Sequence, residues 1–311
     1  MPVAALSPDR IKTRLRLALP APAKRVARVA ANTVDPLLVR RYRASSGEQR
    51  PLPPGKLRAR CCRPNVRFFI ESAAQSADEL DAALAGVGRR LEEFGAVLDF
   101  GCGCARVLAE LEQRLGSGAT LLGCDIDEEA IRWAARHHPG MRFAVNGPLP
   151  PLPYEDASMD LVFASSVFTH VNEGSQQAWL EELRRILTPG GIAIVSVYGE
   201  HAFSGYRSGA ILGVTRDFRD RLGAYASLDA AGMVFEPYPM SASNRFNYTG
   251  GDEPYGVTFN SSGQVRRDWS GSFDVLEILP QSWWSSSQDL VILSKPAPTA
   301  PQALVAAGAA G

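Results

Sequence analysis

The sequence contains no apolar run that approaches the roughly 18 residues of a membrane span, so we expect no transmembrane segment. The N-terminal stretch also lacks an apolar core followed by a small-residue cleavage site, which argues against a secretory signal. Cysteine is limited to five residues, several of them in strand ends or a tight loop, and we therefore expect free thiols and a cytoplasmic location. No metal site is expected, because Cys102 and Cys104 have no second pair at the C-x-x-C spacing of a zinc ligand set.

Short apolar runs alternate with helical segments between residues 96 and 198, an order that is typical of βαβ units around a parallel sheet. The strands are predicted at 96–100, 120–125, 141–146, 159–165 and 191–198, and the helices at 76–94, 105–115, 127–138 and 176–187. Two further strands, at 273–279 and 288–294, are predicted to close the domain. The sequence therefore predicts an α/β fold with a doubly wound, mostly parallel sheet.

A glycine-rich loop follows the first of these strands in the segment VLDFGCGCARV, residues 97–107. In open α/β sheets the ligand binds beyond the carboxyl ends of the strands, and glycine lets the backbone approach it closely. Gly101 and Gly103 supply that freedom, with Asp99 two residues earlier. The dinucleotide fingerprint would need a third glycine where this chain has Arg106, which disfavours a nicotinamide cofactor.

The second and third strands end in polar residues that suit a nucleoside. GCDID places Asp125 at the carboxyl edge of the second strand, 22 residues beyond Gly103, where a carboxylate can accept both hydroxyls of a ribose. For Asp125 and Asp127 the alternative role is that of a helix N-cap, which we favour for Asp127. The third strand ends at Asn146 and Gly147, which could meet an adenine edge. The pattern therefore indicates a nucleoside cofactor.

Four segments, in this order and spacing, resemble the successive motifs of class I S-adenosylmethionine-dependent methyltransferases: VLDFGCGCARV, LLGCDID, VNGPLPPLPYEDASMDLVFASSVFTHV and LRRILTPGGIAIVSV. The similarity covers about residues 95–198, and the last two predicted strands resemble the antiparallel hairpin that closes that fold. The resemblance implies a Rossmann-like sheet of seven strands with an antiparallel closing hairpin, and S-adenosyl-L-methionine as the cofactor.

The resemblance also implies roles for the residues at matching positions. Those that it places around the cofactor are Asp99, Gly101, Cys102 and Gly103 at the methionine end, Asp125 at the ribose, Ile126, Asn146 and Gly147 at the adenine, and Ser165 near the sulfonium. One departure is Ala105, at a position that is often glycine in the family. We expect it to begin the following helix, where alanine is easily accommodated.

A hydroxyl acceptor would need a base to remove its proton, commonly His, Asp or Glu. His170 follows the fourth strand, and His201 follows the fifth beside Glu200, so all three are candidate catalytic residues. Our hypothesis is that His170 is the general base; the alternative is a hydrogen bond that fixes its loop. We expect an enzyme that methylates a small molecule, and we expect the methylated atom to be an oxygen nucleophile of a sugar or specialised metabolite. An NAD(P)-dependent oxidoreductase and a non-catalytic cofactor-binding regulator are the alternatives.

Charge divides the chain into regions: residues 1–60 carry fourteen Lys or Arg against three acidic residues, although the formal net charge is zero. We predict a basic helical arm and linker at 1–60, a methyltransferase domain at 61–295 with an acceptor-binding insertion or lid at 200–262, and a disordered tail at 296–311. The arm is interpreted as a mobile cap over the cofactor cleft, with peripheral contact to anionic lipid as an alternative. No nucleic-acid partner is expected, because aromatic residues are not interleaved in this arm. The sequence does not indicate the oligomeric state of the protein.

Overall fold

The computed structural model describes residues 21–211, 214–238, 254–284 and 286–297, with side chains from residue 33 onward. Its helices are α1 (Ala21–Ser46), α2 (Gly55–Cys61), α3 (Val66–Gly86), α4 (Leu108–Leu115), α5 (Glu128–His137), α6 (Glu173–Ile186), α7 (Glu200–Ser208), α8 (Arg216–Leu222), α9 (Leu228–Ala231) and α10 (Ser262–Asp268). Its strands are β1 (Ala96–Phe100), β2 (Thr120–Asp125), β3 (Arg142–Val145), β4 (Met159–Ala164), β5 (Leu187–Val197), β6 (Met233–Pro237), β7 (Gly256–Asn260), β8 (Asp274–Trp283) and β9 (Gln288–Ser294).

Seven strands form one sheet in the order β3-β2-β1-β4-β5-β9-β8. The five strands β1 to β5 pair in parallel, whereas β9 pairs antiparallel with both β5 and β8. The strand order reverses between β1 and β4, so the loops that follow these strands meet at the switch point where ligands bind. The prediction of a mostly parallel seven-stranded sheet with an antiparallel closing hairpin is confirmed.

The central strands are apolar on both faces because helices cover both sides of the sheet. Successive residues of β1 pack in different hydrophobic cores. Val97 packs in a core with α3, α4 and α5, and Leu98 packs in a core with α6 and α10. The second of these cores includes Trp179 of α6, which is buried under the sheet. This two-sided burial fixes where β1 ends and hence where its loop begins.

The first residues of α3 and α4 differ from the predicted ones. Helix α3 begins at Val66, ten residues earlier than expected, because the side chain of Asn65 accepts a hydrogen bond from the backbone N–H of Phe68. Helix α4 begins at Leu108, and the three residues expected as its first turn belong to the glycine-rich loop. The prediction that Ala105 begins this helix is wrong.

The insertion is more regular than its sequence pattern indicates. It contains α7, α8, α9 and a second, two-stranded sheet of β6 and β7, around a separate apolar core. Its helices have only four to nine residues, too short to show a helical period in the sequence. Strand β7 is joined to the main domain, where the backbone N–H of Thr258 donates to Thr169 O at 2.8 Å and that of Asn260 donates to Tyr198 O at 2.9 Å.

The N-terminal arm docks on the rest of the domain, where Arg50 pairs with Glu110 of α4. Helix α2 crosses the predicted boundary at residue 60, and buried Arg58 pairs with Asp35 of α1 while Asp35 also accepts from the backbone N–H of Gly55 at 2.8 Å. Residues 1–20 of the predicted arm and almost all of the predicted tail lie outside the described residues. Among the helices of the described ranges, none is both long and apolar enough to cross a bilayer.

Candidate functional site

The loop between β1 and α4 turns sharply at the end of the sheet. Gly101 and Gly103 have φ of +84° and +53°, a region that favours glycine. A Cβ on Gly101 would come closer than 3.0 Å to Val167, and one on Gly103 would come equally close to the sulfur of Cys61. Ala105 also has a positive φ, +61°, which explains why glycine is common at its position in the resembled family. The loop therefore needs its glycines for both backbone conformation and space.

Asp125 holds this loop in place from the neighbouring strand. One carboxylate oxygen accepts the backbone N–H of Gly103 at 2.7 Å, and the other accepts that of Asp127, also at 2.7 Å. Burial raises the pKa of Asp125, and the two backbone hydrogen bonds oppose that shift. Each oxygen keeps a further lone pair, so the carboxylate can still accept hydrogen bonds from a diol. Asp127 is the N-cap of α5, as favoured from the sequence.

Asp99 is a carboxylate with incomplete hydrogen bonding. Its side chain is 2% exposed, and Oδ1 is buried without a hydrogen-bond partner among the described residues. Burial raises its pKa well above the ordinary 3.8, Arg106 lowers it and Asp125 raises it further. An unsatisfied buried carboxylate is costly unless something pairs with it. A ligand's ammonium group would supply that partner.

A second unsatisfied acceptor lies at the end of β3. The amide of Asn146 donates to the carbonyl of Gly147 at 2.7 Å, and its Oδ1 is buried without a hydrogen-bond partner in the described part of the chain. This acceptor suits an exocyclic amine such as that of adenine. The two orphaned acceptors and the glycine turn thus fit S-adenosylmethionine, whose amino-acid and adenine ends both carry hydrogen-bond donors.

A single cavity of about 600 Å³ joins these groups. All nine residues predicted to surround the cofactor line it: Asp99, Gly101, Cys102, Gly103, Asp125, Ile126, Asn146, Gly147 and Ser165. The same cavity continues to His170 and to three tyrosines, Tyr198, Tyr238 and Tyr255. The volume lies within the range of ordinary ligand pockets, which is about 300–1,000 Å³.

His201 and Glu200 lie elsewhere, and neither is among the described residues that line the cavity. Both are in the first turn of α7, where His201 is exposed and Glu200 accepts the backbone N–H of Ser262 at 3.2 Å. The strand β5 ends at Val197, so the chain has already turned into a helix when it reaches them. Proximity to a strand end was the reason for predicting them, and it does not bring them to the cavity.

His170 lies between the loop after β4 and the second sheet. Its Nδ1 donates to the carbonyl oxygen of Gly256 at 2.8 Å, and its ring centroid is 5.0 Å from that of Tyr255. Burial lowers the pKa of His170 below its ordinary 6.5, and the bond to Gly256 partly opposes the shift. The ring is thus neutral near pH 7 with its proton on Nδ1, which leaves Nε2 as the basic nitrogen.

The sequence did not indicate the part of the cavity wall that helix α2 and the segment after it supply. Arg60, Cys61 and Cys62 all line the cavity. Arg60 donates to both carboxylate oxygens of Asp127, at 2.8 and 2.9 Å, and pairs with Glu129. The sequence feature that could have predicted this part of the cavity wall is the complementary charge of the basic segment and the acidic start of α5. Nothing in the spacing of the arm identifies these particular residues.

Residues 97–191 match a family model described as a methyltransferase domain. A probable S-adenosylmethionine-dependent methyltransferase of Mycolicibacterium smegmatis is 32% identical over 35% of this chain and 40% of its own length. A 23S rRNA (guanine(748)-N(1))-methyltransferase of Streptomyces fradiae is 37% identical over 37% of this chain and 39% of its own. A crystal structure of a Pyrococcus horikoshii OT3 protein is 20% identical, with a TM-score of 0.48, over 74% of this chain and 91% of that chain.

The matched segment, the ordered motifs and the seven-stranded sheet show that this chain contains a methyltransferase domain, and they support S-adenosylmethionine as its cofactor. The domain is similar to that of a probable S-adenosylmethionine-dependent methyltransferase. The chain spans between 26% and 40% of the length of the first curated relatives that it matches. One similar protein is named for its action on rRNA, so the expectation that nucleic acid is not a partner has no support.

Proposed function

We propose that the protein transfers the methyl group of S-adenosylmethionine to the hydroxyl oxygen of a small molecule. The observation that carries this proposal is the continuity of one cavity from Asp99 and Asp125 to His170 and the three tyrosines. In the proposed arrangement Asp99 and the glycine loop hold the amino-acid end of the cofactor, Asp125 the ribose, and Asn146 the adenine. When bound, the cofactor would supply a sulfonium methyl carbon that is already activated toward a nucleophile.

The acceptor would occupy the tyrosine-lined end of the cavity. Tyr198, Tyr238 and Tyr255 present aromatic faces and hydroxyl groups, a combination typical of pockets for small organic ligands. Burial raises the pKa of Tyr238 above its ordinary 10, so its phenol is neutral and can donate a hydrogen bond. Because the same cavity must also hold the cofactor, the remaining volume favours a sugar or metabolite of modest size.

His170 would act as the general base of this reaction. Its fixed Nδ1–H places the basic lone pair on Nε2, which would accept the proton of the acceptor hydroxyl. The remaining contribution of the chain is positioning, which can lower a barrier by about 7–11 kcal/mol in favourable cases. The free thiols of all five cysteines suit the cytoplasmic location that we propose for this reaction.

Two experiments test the function itself. Calorimetric titration with S-adenosylmethionine, S-adenosylhomocysteine and NADH should show binding of the first two ligands and none of the third. A screen of methyl transfer over hydroxylated, aminated and carboxylated compounds and short RNA should then give turnover with hydroxylated small molecules. Turnover on RNA or on amines alone would contradict the proposed acceptor class.

His170→Asn and His170→Ala separate the proposed base from a loop-fixing role. The amide of asparagine can keep the donor to the carbonyl of Gly256 but has no basic nitrogen, whereas alanine loses both. If His170 is the base, both variants should lose about 10²- to 10⁴-fold in kcat. Near-normal kcat in His170→Asn with a loss only in His170→Ala would show that the hydrogen bond to Gly256 is the whole function of this side chain.

The pH profile gives an independent measure of the same proposal. Because burial lowers the pKa of His170, the base is lost only when the pH falls through a value below 6.5. We expect kcat to be constant near pH 7 and to fall on the acid side of pH 6.5. In His170→Asn this acid limb should be absent from the residual activity, and its persistence would assign the limb to another group.

A further inference from the structure

One buried cation lines the cavity without a role in the function proposed so far. Arg106 is 5% exposed, and it occupies the position where the dinucleotide fingerprint would have a glycine. Its Nη1 donates to the carbonyl oxygen of Ser72 at 2.5 Å and to the hydroxyls of Ser72 and Ser76 at 3.3 and 3.2 Å. These partners are all neutral and all belong to α3.

The charge of this guanidinium is not neutralised by contact. Among the ion pairs of the described residues, none includes Arg106. The guanidinium carbon also lies 5.0 Å from the centroid of the Trp284 ring. A buried charge that has neutral partners alone is costly, so an anion in the adjacent cavity would be bound favourably.

A second buried residue that lines the same cavity has the opposite charge. Asp99 is buried with an unpartnered oxygen, and it is close enough to Arg106 for each charge to affect the other. The two residues do not form an ion pair, so both charges are available to a ligand that is itself a zwitterion. An α-amino acid carries one ammonium and one carboxylate on the same carbon, and it matches such a pair of charges.

We infer that Arg106 binds the carboxylate of the cofactor's methionine end, while Asp99 binds its ammonium group. This inference rests on the proposed cofactor arrangement and adds to it the residue that recognises the amino-acid carboxylate. Guanidinium offers two parallel donors to a carboxylate, and only Nη1 is hydrogen-bonded to α3. The guanidinium carbon also lies over the ring of Trp284, in the arrangement of a cation–π contact.

The test compares ligands that differ in the amino-acid end. The ligands are S-adenosylhomocysteine, its decarboxylated analogue, which keeps the ammonium group, and 5′-methylthioadenosine, which lacks both groups. In the wild-type protein, removal of the carboxylate should weaken binding about 10- to 100-fold, the effect of one charged hydrogen-bonding contact. Equal affinities for the first two ligands would overturn the inference without any variant.

Arg106→Met replaces the charge with a side chain of similar length. We expect it to weaken binding of S-adenosylhomocysteine about 10- to 100-fold and to change binding of the other two ligands by less than about twofold. Arg106→Lys should recover part of the lost affinity. Arg114→Met, on the outer surface of helix α4, which follows the loop, is the control and should bind all three ligands as the wild type does.

The outcomes separate this inference from the proposed function. Failure of the wild-type protein to bind S-adenosylhomocysteine would overturn both. Binding by the wild type, with Arg106→Met weakening all three ligands equally, would show that Arg106 supports the fold of the loop, and the proposed function would stand without the inference. Thermal unfolding of each variant, measured without ligand, shows which of them keep the native fold.

Discussion

The substitution Gly103→Ala tests how closely helix α2 packs on the glycine loop. At φ of +53° an alanine costs about 1–2 kcal/mol of backbone strain. Its Cβ would also lie closer than 3.0 Å to the sulfur of Cys61, and overpacking of this kind costs typically about 1–3 kcal/mol. Together the two effects should lower the free energy of unfolding by about 2–5 kcal/mol.

The variant Cys61→Ala isolates the steric part of this cost. Without the sulfur, the nearest atom to the new Cβ is the Cβ of residue 61 at 3.4 Å, an ordinary contact. Gly103→Ala in the Cys61→Ala background should therefore cost only the backbone part, about 1–2 kcal/mol. The coupling free energy between the two sites should be about 1–3 kcal/mol.

Urea denaturation of the wild type, the two single variants and the double variant gives this coupling directly. Gly101→Ala in the Cys61→Ala background is the matched control, because the crowding atom at Gly101 belongs to Val167 and not to Cys61. Its cost should be the same in both backgrounds. A coupling below about 0.5 kcal/mol between residues 103 and 61 would refute the packing of α2 on the loop.

Two further substitutions test the carboxylates of the cavity. Burial raises the pKa of Asp99, so its charge destabilises the ligand-free protein increasingly as the pH rises above 3.8. Asp99→Asn should therefore raise the free energy of unfolding by about 0.5–2 kcal/mol at pH 7, and by a smaller amount near pH 4. The same variant should bind S-adenosylhomocysteine about tenfold or more weakly, and unchanged calorimetric affinity would contradict its role. Asp125→Ala should weaken that ligand about 10- to 100-fold, whereas Asp127→Ala should mainly cost the α5 cap, about 0.5–2 kcal/mol in urea denaturation. If Asp125→Ala and Asp127→Ala weakened the binding of S-adenosylhomocysteine equally, a ligand-binding role for Asp125 and a capping role for Asp127 would be contradicted.

The half of the cavity that we propose for the cofactor could be predicted because its residues are fixed by local sequence. Each of Asp99, Asp125 and Asn146 stands at or next to the end of an apolar run, and the carboxyl ends of parallel strands meet at one edge of the sheet. The alternation of strands and helices then determines which loops are neighbours. Sequence spacing therefore places these three residues together, whereas Ile126 and Ser165 were expected only from the family resemblance.

The rest of the wall could not be predicted because long-range packing places it. Arg60 and Cys61 reach the cavity only because α2 docks against α5 through Arg60 and Lys56. Ala105 was misread for a related reason: alanine has a high helix propensity, but the loop continues through residue 107 before the helix begins. Helix propensity is a local property, so it does not show that the chain must cross the end of β1 before the helix can begin.

The half of the cavity that we propose for the acceptor illustrates the same limit, and it changes how specificity can be studied. The insertion looks like a removable lid in the sequence, yet the backbone N–H of Gly256 donates to His170 O at 3.0 Å, and His170 returns a side-chain bond to Gly256 O. The two tyrosines that face the acceptor end from the insertion, Tyr238 and Tyr255, are held by this same strand pairing, since Tyr238 N donates to Tyr255 O at 3.0 Å. Deleting the insertion would therefore disturb the proposed base together with the pocket. Acceptor specificity has to be examined through single side chains on an intact β7.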